Sequence, residues 1–256
     1  MNFEEKKKIT LSLIETFNKA SQVALDLREV GLKKEIKSDN TPVSNGDIEV
    51  NKILSNKIQE ITPNIVIVSE ESSNNKTNNS LNNFWLIDPI DGTRDYINNR
   101  DEFTLNAALI LNKKPAIGII TAPAKGRVFY SYGLSNSYEL INGKEISLMN
   151  KEKNYKGLTA VSYSNELKKE ILEIHKKYKI ISHQKMKSSL KFCVVAANEF
   201  DLYVAEPRAC EWDIAAGHAI LEHAGGKITD FNGNEIIYGK PKFKNPSLII
   251  RNKNIL

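Results

Sequence analysis

Residues 84–93 read Phe-Trp-Leu-Ile-Asp-Pro-Ile-Asp-Gly-Thr, and this stretch is the most informative part of the chain. Its apolar beginning predicts a buried strand, and the proline that follows cannot donate to a strand ladder. Asp88 and Asp91 therefore fall where a strand gives way to a turn, and both can face one hard cation. Gly92 and Thr93 then offer backbone N–H groups that suit an anion. A simple polar turn is the competing interpretation, because Asp and Pro are common turn residues.

A second pair of carboxylates follows another apolar run. Residues 65–68 (Ile-Val-Ile-Val) predict a short buried strand that leads directly into Glu70 and Glu71. Strand ends are where α/β-type folds usually keep their sites. Oxygen donors without a nearby His or Cys favour Mg²⁺ over Zn²⁺. An isolated pair of glutamates is, however, also typical of a solvated turn.

Two more aspartates lie at predicted helix starts. Asp213 precedes an apolar helix predicted over 214–224, and Asp47 opens a helix predicted from Ser44 or Asp47 onward. Each is explained locally as a capping or first-turn acid. The functional interpretation makes Asp213 a metal ligand held by a rigid element. It makes Asp47 a base that takes a proton from water through Thr93, a transfer typically worth ~100- to 10,000-fold in rate.

A short polar segment precedes another predicted helix. Residues 188–191 (Ser-Ser-Leu-Lys) stand before the apolar residues of a helix predicted over 190–198. Hydroxyls and a lysine at a helix start can bind an anion. The local alternative is a serine N-cap with a solvated lysine.

Composition narrows the class of protein. The chain has 256 residues, 41% hydrophobic and 26% charged, which is ordinary for a globular protein. The sequence shows neither an apolar run of the roughly 18 residues that cross a bilayer nor a signal-peptide pattern. We therefore expect a cytoplasmic protein, and peripheral membrane binding stays open. Two cysteines do not make a disulfide framework. The net charge of +5 comes from scattered basic residues, which argues against a nucleic-acid reader.

The pattern of elements predicts a β-rich middle followed by an alternating α/β segment. We expect helices over 4–30, 44–61, 165–177, 190–198 and 214–224. We expect strands over 65–68, 84–88, 103–110, 116–121, 128–131, 138–140, 158–161, 180–181, 201–205 and 227–229. The polar residues 72–83 read as a mobile segment, and Asn142-Gly143 as a hairpin turn. A domain boundary near residue 150 divides the chain into 1–150 and 151–256.

Taken together, these motifs resemble the inositol monophosphatase superfamily of Mg²⁺-dependent phosphatases. The resemblance covers residues ~35 to ~250 in the family's order and spacing. The matching positions are Asp47, Glu70-Glu71, 88–93 (Asp-Pro-Ile-Asp-Gly-Thr) and 212–217 (Trp-Asp-Ile-Ala-Ala-Gly). Within the superfamily, residues 38–43, 188–192 and 244–248 are most similar to the bacterial 3′(2′),5′-bisphosphate nucleotidases. Those enzymes convert adenosine 3′,5′-bisphosphate, a by-product of sulfate assimilation, into AMP.

The resemblance implies a layered α-β-α-β-α sandwich. An N-terminal α+β half would carry most of the metal ligands, and a C-terminal α/β half would carry Asp213 and the nucleotide-side loop. Two or three Mg²⁺ ions are implied, with Asp47 and Thr93 activating the water. The implied metal ligands are Glu70, Asp88, the carbonyl of Ile90, Asp91 and Asp213. The implied substrate-binding residues are Glu70, Ile90, Asp91, Gly92, Thr93, Ser189, Lys191 and Asp213.

Three departures from the family pattern accompany the resemblance. Lys187 stands where the family usually has Gly, and Ser44 stands where Thr is usual. The segment 204–210 differs from the Pro-Arg-containing loop of many relatives, and Arg208 is the arginine it offers instead. These departures lie in or near the segments that the resemblance implies would determine which substrate is bound.

We therefore expect a phosphomonoesterase that acts on a small phosphorylated nucleotide, as a monomer or a homodimer. An inositol or other sugar phosphate is the alternative substrate. A non-catalytic binding protein built on the same fold is the alternative class, although every acidic position of the motif is intact.

Overall fold

The computed structural model describes residues 1–37, 40–72, 76, 81–153, 157–207 and 209–256. The helices in these residues are α1 (Phe3–Val30), α2 (Asn45–Ile61), α3 (Thr93–Ile97), α4 (Lys169–Lys177), α5 (Leu190–Ala196) and α6 (Glu211–His223). Strands β1 to β9 are Lys34–Ile36, Pro42–Ser44, Val66–Ser69, Phe84–Asp91, Thr104–Leu111, Lys114–Ala122, Arg127–Gly133, Asn136–Ile141 and Lys144–Ser147. Strands β10 to β14 are Leu158–Ser162, Ile180–Lys185, Leu202–Ala205, Lys227–Asp230 and Leu248–Arg251. Short 3₁₀ helices span Pro123–Lys125, Pro241–Phe243 and Lys253–Ile255.

Two sheets organise the described chain. The first has seven strands in the order β3-β4-β5-β6-β7-β8-β9, with β3 parallel to β4 and the remaining pairs antiparallel. The second has five strands in the order β11-β10-β12-β14-β13, parallel around β10 and antiparallel around β14. A two-stranded antiparallel ribbon of β1 and β2 precedes α2.

Apolar cores separate five layers. One core joins α1 and α2 to the first sheet, with Phe17, Leu54 and Trp85 fully buried in it. A second lies between the two sheets and contains α5 and α6. A third packs α4, through Ile171, against the outer side of the second sheet. This arrangement confirms the predicted α-β-α-β-α sandwich, while the domain boundary at residue 150 stays a prediction.

Local sequence explains where the main helices begin and end. Asn2 and Glu5 form a capping box at the start of α1, in which each side chain accepts the other residue's backbone N–H. Gly31 ends the helix with φ of 102°, a conformation that glycine adopts most readily. The predicted hairpin turn is confirmed, because Asn142 and Gly143 both have positive φ and join β8 to β9.

Close packing fixes α6 against the first sheet. A Cβ on Gly118 of β6 would lie 2.4 Å from the carbonyl oxygen of Ala216 and 2.8 Å from the Cβ of Ala219. Only a residue without a side chain allows this approach. Helix α6 therefore packs closely on strands β5 and β6, and it also contacts β4.

Several predicted boundaries move in the structure. Helix α4 begins at Lys169, four residues later than predicted, and α6 begins at Glu211, three residues earlier. Strand β11 runs to Lys185 as an exposed edge strand, although only two of its residues gave a strand signal. The ribbon strands and β14 were not predicted, since each is only three or four residues long and depends on its pairing partner. Most of the predicted mobile segment 72–83 lies outside the described residues.

Candidate active site

The Asp-Pro-Ile-Asp segment is part of a strand and not a turn that follows it. Strand β4 continues to Asp91, and its pairing with β5 shifts between Asp88, which lies opposite Asn106, and Asp91, which lies opposite Thr104. Three steps on β4 thus face two on β5, which is a β-bulge. The prediction that the strand ends at Asp88 is wrong, because a proline is tolerated inside a sheet when it sits at a bulge. The bulge lets both aspartates serve one site.

Three carboxylates from three elements converge beside the bulge. Oxygen atoms of Glu70, Asp88 and Asp213 all lie within 4.8 Å of one another. Glu70 directly follows β3, the parallel neighbour of β4, and its backbone N–H donates to the carbonyl of Ile87 at 3.0 Å. Asp213 arrives from the first turn of α6. The structure therefore brings together three of the predicted metal ligands, which argues against a mere solvated turn at Glu70.

Burial and mutual repulsion raise the pKa values of this cluster. Burial, then the charges of Glu70, Asp91 and Asp213, raises the pKa of Asp88 well above its ordinary range. Burial, then Asp213, raises the pKa of Glu70 to about 8. Asp213 keeps some accessible surface, yet protein packed around it and the charge of Asp91 raise its pKa to about 7. Clustered carboxylates in this condition are stabilised by cations.

The donor set fits a hard divalent cation. Both carboxylate oxygens of Asp88 are buried, and among the described residues neither receives a hydrogen bond. Unpaired buried carboxylate oxygens are costly unless a proton or a metal occupies them. All the converging side-chain donors are oxygens, which suits Mg²⁺ and not Zn²⁺.

A lysine supplies a fixed positive charge at the edge of the cluster. The Lys37 ammonium lies 2.6 Å from Glu71 and 3.7 Å from Glu70. Burial lowers the pKa of Lys37, but the hydrogen bond to Glu71 and the charges of Glu70, Glu71 and Asp47 raise it overall. Glu71 is thus occupied by a lysine, whereas Glu70 turns toward Asp88. The two neighbouring glutamates have different roles, which their sequence alone does not distinguish.

Asp47 and Thr93 meet as predicted. The Thr93 hydroxyl lies 2.9 Å from the Asp47 Oδ1 and 3.0 Å from the carbonyl oxygen of Ile90, and its single proton can serve one of them at a time. The other Asp47 oxygen accepts the backbone N–H and the hydroxyl of Ser44, at 2.8 and 2.6 Å. Burial raises the pKa of Asp47, and these hydrogen bonds oppose that rise. The carboxylate is therefore held with one oxygen turned to Thr93.

Asp47 and Asp213 occupy the same helical position. Each is the third residue of its helix and accepts the backbone N–H of the N-cap residue, which is Ser44 for α2 and Cys210 for α6. The first-turn interpretation of Asp47 is confirmed. The N-cap interpretation of Asp213 is wrong, because the helix begins earlier than its apolar residues suggest. Capping fixes each carboxylate with one oxygen, which leaves the other for chemistry.

Ser189 links the two halves of the site. Its hydroxyl lies 2.6 Å from the Asp91 Oδ2 and 2.5 Å from the backbone oxygen of Asp213, and it accepts the Asn106 side-chain N–H at 3.2 Å. Ser189 stands at the N-cap position of α5, as the local interpretation has it, but its side chain makes no capping hydrogen bond there. In this structure Ser189 orients the carboxylate of Asp91 and the first turn of α6.

Lys191 is buried, and the solvated-lysine interpretation is wrong. Only 5% of the residue is exposed, and its ammonium donates to the carbonyl of Ser188. The ammonium lies 5.1 Å from the ring centre of Tyr203 and 5.9 Å from that of Tyr163. These residues line a cavity of about 170 Å³ that also contains Asp91, Ser189 and Asp213. The predicted substrate-side residues thus share a cavity with two of the predicted metal ligands.

Gly92 is required by its surroundings. It adopts φ of 92° at the start of α3, and a Cβ there would lie 3.0 Å from the carbonyl oxygen of Glu102. A side chain would be strained in this conformation and would press on the neighbouring loop. Residue 92 is therefore restricted to glycine both by its backbone conformation and by its close approach to Glu102.

Sequence reasoning missed three residues that support the site. Lys37 pairs with the glutamates, Asn106 holds Ser189, and Glu102 accepts the backbone N–H of Lys187 at 3.0 Å. Asn106 carried a signal, since it is a polar residue inside the apolar run of β5. The other two carried none, because surface-type charges reveal their partners only in the folded chain. Arg208, which the sequence raised as a replacement arginine, lies outside the described residues.

A larger cavity lies away from this site. A groove of about 810 Å³ runs between the start of α1 and the end of α2, lined by residues such as Met1, Ile9, Ile61 and Ile65. None of the predicted site residues lines it.

In the described part of the chain, no helix is both long and apolar enough to cross a membrane. Cys193 is a buried free thiol, as predicted.

Comparison with known proteins assigns the chain and its fold to one family. The chain belongs to the inositol monophosphatase family, whose sequence model matches residues 5–255. Curated relatives include the 3′(2′),5′-bisphosphate nucleotidase CysQ of Buchnera aphidicola subsp. Acyrthosiphon pisum. It is 36% identical over 206 residues, covering 79% of this chain and 76% of the relative. The protein of the same name from Escherichia coli strain K12 is 32% identical over 216 residues, covering 82% and 85%.

A solved structure agrees in fold. The crystal structure of CysQ from Bacteroides thetaiotaomicron, described as a bacterial member of the inositol monophosphatase family, superposes with a TM-score of 0.78. It is 25% identical to this chain and covers 98% of this chain and 99% of its own. The family resemblance and the layered fold predicted from the sequence are thereby confirmed.

Proposed function

We propose that this protein is a Mg²⁺-dependent phosphomonoesterase that removes the 3′-phosphate of adenosine 3′,5′-bisphosphate and releases AMP. The observation that carries the proposal is the convergence of Glu70, Asp88 and Asp213 within 4.8 Å, next to the Asp47–Thr93 pair. A phosphate dianion needs positive charge to enter such a cluster, and divalent cations supply it.

Two or three Mg²⁺ ions would be held by side chains that arrive from both halves of the chain. The residues that would hold them are Glu70, Asp88, the carbonyl of Ile90, Asp91 and Asp213. When bound, such ions neutralise the carboxylates and lower the pKa of an attacking water. Ser189 would keep the Asp91 carboxylate in place through its 2.6 Å hydrogen bond.

Asp47 and Thr93 would manage the proton of the attacking water. The Thr93 hydroxyl donates to Asp47, so its oxygen can accept a hydrogen bond from water on its other side. As the water attacks phosphorus, its proton passes to the threonine oxygen while the threonine proton passes to the Asp47 Oδ1. The bond from phosphorus to the 3′-oxygen breaks in the same step, and the departing 3′-oxygen takes up a proton from solvent. The two hydrogen bonds from Ser44 keep the other carboxylate oxygen occupied, which directs the proton to Oδ1. No covalent enzyme intermediate is needed.

The substrate would be bound on both sides of the scissile bond. Backbone N–H groups of Gly92 and Thr93, at the start of α3, would donate to the transferred phosphate. Ser189 and Lys191 would line the nucleotide side, in the cavity that they share with Asp91.

The names of the curated relatives favour a nucleotide bisphosphate as the substrate. The family's own name keeps an inositol phosphate as the alternative. Steady-state rates of phosphate release from adenosine 3′,5′-bisphosphate and from inositol 1-phosphate, on one preparation, separate the two. A clear preference for inositol 1-phosphate would contradict the nucleotidase proposal.

Metal dependence and the role of Asp91 are tested together. We expect EDTA to abolish turnover and Mg²⁺ to restore it. Asp91→Asn should lower kcat by at least ~1,000-fold, because it removes a charge that would hold the metal. Asp101→Asn is the matched control, since this exposed aspartate contacts only Arg28 at 3.8 Å. Activity that survives EDTA, or an Asp91→Asn variant as active as the control, would refute the proposal.

Three further proposals concern the setting of the enzyme. We propose that residues 1–150 and 151–256 act as two halves with the site between them. The cytoplasm is the proposed compartment, which two free thiols fit. A monomer or a homodimer is the proposed assembly, and native mass measurement decides between them.

A further inference from the structure

We infer that Tyr96 is a positioning residue for the proton transfer between Thr93 and Asp47. This role rests on the proposed function, in which the Thr93 hydroxyl passes a proton to the Asp47 carboxylate. The two groups come from different helices, α3 and α2, so their hydrogen bond of 2.9 Å depends on how those helices are spaced. The ring of Tyr96 packs between the helices, against Gly46, and this contact fixes the spacing.

The contact between the Tyr96 ring and α2 exists only because residue 46 is glycine. A Cβ on Gly46 would lie 2.4 Å from the Tyr96 hydroxyl oxygen, 2.7 Å from Cε1 and 2.8 Å from Cζ. Gly46 directly precedes Asp47 in the first turn of α2, and both residues are buried. The ring therefore touches the backbone that carries the Asp47 carboxylate.

Tyr96 is also held on its other sides. It is fully buried, and its hydroxyl donates to the carbonyl oxygen of Ala24 in α1 at 2.6 Å. Its ring centre lies 4.9 Å from that of Phe103. Burial, then the charge of Asp47, raises the pKa of Tyr96, so the hydroxyl keeps the proton that it donates. The ring is thus fixed by α1, by α2 and by the segment that follows α3.

One turn of helix connects Tyr96 to Thr93. The two residues are three positions apart in α3 and lie on the same side of it. The backbone N–H groups of Asp95 and Tyr96 both donate to the carbonyl oxygen of Gly92, at 2.8 and 3.0 Å. These hydrogen bonds close the turn that contains Thr93. A displacement of the Tyr96 ring therefore moves the Thr93 hydroxyl relative to Asp47.

Tyr96 is separate from the groups that would bind metal and substrate. Its hydroxyl is engaged by α1, and it does not line the cavity of about 170 Å³ that contains Asp91 and Asp213. The Asp91 carboxylate is held by Ser189 instead. Loss of the Tyr96 contact is thus expected to lower kcat and to leave KM and Mg²⁺ binding close to wild type.

Gly46→Ala tests the contact from the side of α2. To reach a carbon contact distance of about 3.5 Å, the ring would have to move by roughly 1 Å. A misplacement of this size costs about 100-fold, so we expect kcat to fall by about that factor. Alanine is otherwise the better helix residue, so local helix stability predicts no loss.

Gly226→Ala is the matched control for crowding. Its added Cβ would lie 2.6 Å from the carbonyl oxygen of Arg251, and neither Gly46 nor Gly226 has a positive φ. Gly226 follows the C-terminal end of α6, whereas Asp213 lies in the first turn of that helix. The control should leave kcat close to wild type even where it lowers the thermal midpoint.

A double variant separates positioning from a general structural effect. If Gly46→Ala acts through Thr93, adding it to Thr93→Val should lower kcat no further, because the hydroxyl that it displaces is already gone. Changes on the side of α3 give an independent measurement. Tyr96→Leu removes the ring atoms at the contact and should lower kcat as Gly46→Ala does, whereas Tyr96→Phe keeps the ring and should retain most of kcat.

The outcomes distinguish this inference from the proposed function. The assay uses whichever of adenosine 3′,5′-bisphosphate and inositol 1-phosphate the wild type hydrolyses faster, so the nucleotidase proposal can fail on its own. A wild-type kcat in Gly46→Ala, an equal loss in Gly226→Ala, or a further loss when Gly46→Ala is added to Thr93→Val would overturn the role of Tyr96. Each of these results leaves the nucleotidase proposal intact. Should Gly46→Ala not fold, Tyr96→Leu and Tyr96→Phe, each also combined with Thr93→Val, decide the question by the same criteria.

Discussion

Asp88→Asn is expected to stabilise the metal-free protein while it removes the response to Mg²⁺. Asp88 is fully buried, neither of its oxygens has a donor among the described residues, and Glu70 and Asp213 lie within 4.8 Å. An amide keeps the shape, removes one charge and adds two donors that face those neighbours. The variant therefore relieves repulsion in the empty cluster and weakens the site for a cation.

The size of the effect follows from the spacing. Two unit charges 4.8 Å apart repel by roughly 3 kcal/mol at an effective dielectric constant of about 20. Protonation limits the total, because the raised pKa values let the cluster bind protons instead of bearing every charge. We therefore expect a gain of about 3 kcal/mol at pH 8, which corresponds to roughly 6–12 °C in Tm for a chain of this length.

The pH dependence has a definite sign. Glu70 and Asp213, with pKa values of about 8 and about 7, bind protons in the folded state that the unfolded chain has lost above pH 4.5. The free energy of unfolding of the metal-free protein therefore falls as pH rises from about 4.5 to about 8. The advantage of Asp88→Asn should shrink toward pH 5, where the wild-type cluster is largely protonated.

Thermal unfolding followed by circular dichroism, in EDTA and in excess Mg²⁺ at pH 5 and pH 8, measures all of these effects. Mg²⁺ at 100 times its Kd should stabilise the wild type by about 2.7 kcal/mol at pH 8. A lower Tm for Asp88→Asn than for wild type in EDTA at pH 8 would refute the repulsion argument. A Mg²⁺ response equal to that of the wild type would refute the assignment of Asp88 as a ligand.

Two further predictions concern the proton path and acid stability. Thr93→Val keeps the shape of the side chain but removes the hydroxyl that reaches Asp47. We therefore expect kcat to fall ~100- to 10,000-fold, while the Mg²⁺ concentration that gives half-maximal activity stays close to wild type. A wild-type kcat would contradict the proton relay. Burial lowers the pKa of His223 to about 4, so the unfolded chain takes up its proton first and stability is lost as pH falls from about 6.5 to about 4. His223→Gln cannot titrate, so urea unfolding at pH 7 and pH 4.5 should show roughly 2 kcal/mol less acid loss than in wild type, and parallel losses would contradict this.

The candidate ligand set could be predicted from sequence because it depends on local features. Asp88 and Asp91 lie beside a proline at the end of an apolar run, and Glu70 follows another such run. Strands β3 and β4 are parallel neighbours, so their ends meet at one edge. For Asp213, position alone left a helix cap and a metal ligand equally open, and the family resemblance favoured the ligand.

Boundaries were less predictable where long-range packing decides them. Helix α6 extends to Glu211 because the Glu211 carboxylate accepts backbone N–H groups of Gly239 and Lys240, far along the chain. Strand β4 extends past its proline because β5 accommodates the bulge. Neither partner is visible in a short window of sequence.

The amino-acid sequence was enough to predict an oxygen-donor site at strand ends and helix starts, in a layered fold with a phosphatase-type motif. The separate roles of neighbouring groups became visible in the folded chain. It paired Glu71 with Lys37 and left Glu70 to the cluster, turned Ser189 toward Asp91, and buried Lys191. The physical reason is range, because capping and strand patterns act over a few residues, whereas charge pairing and burial depend on groups brought together from distant parts of the chain.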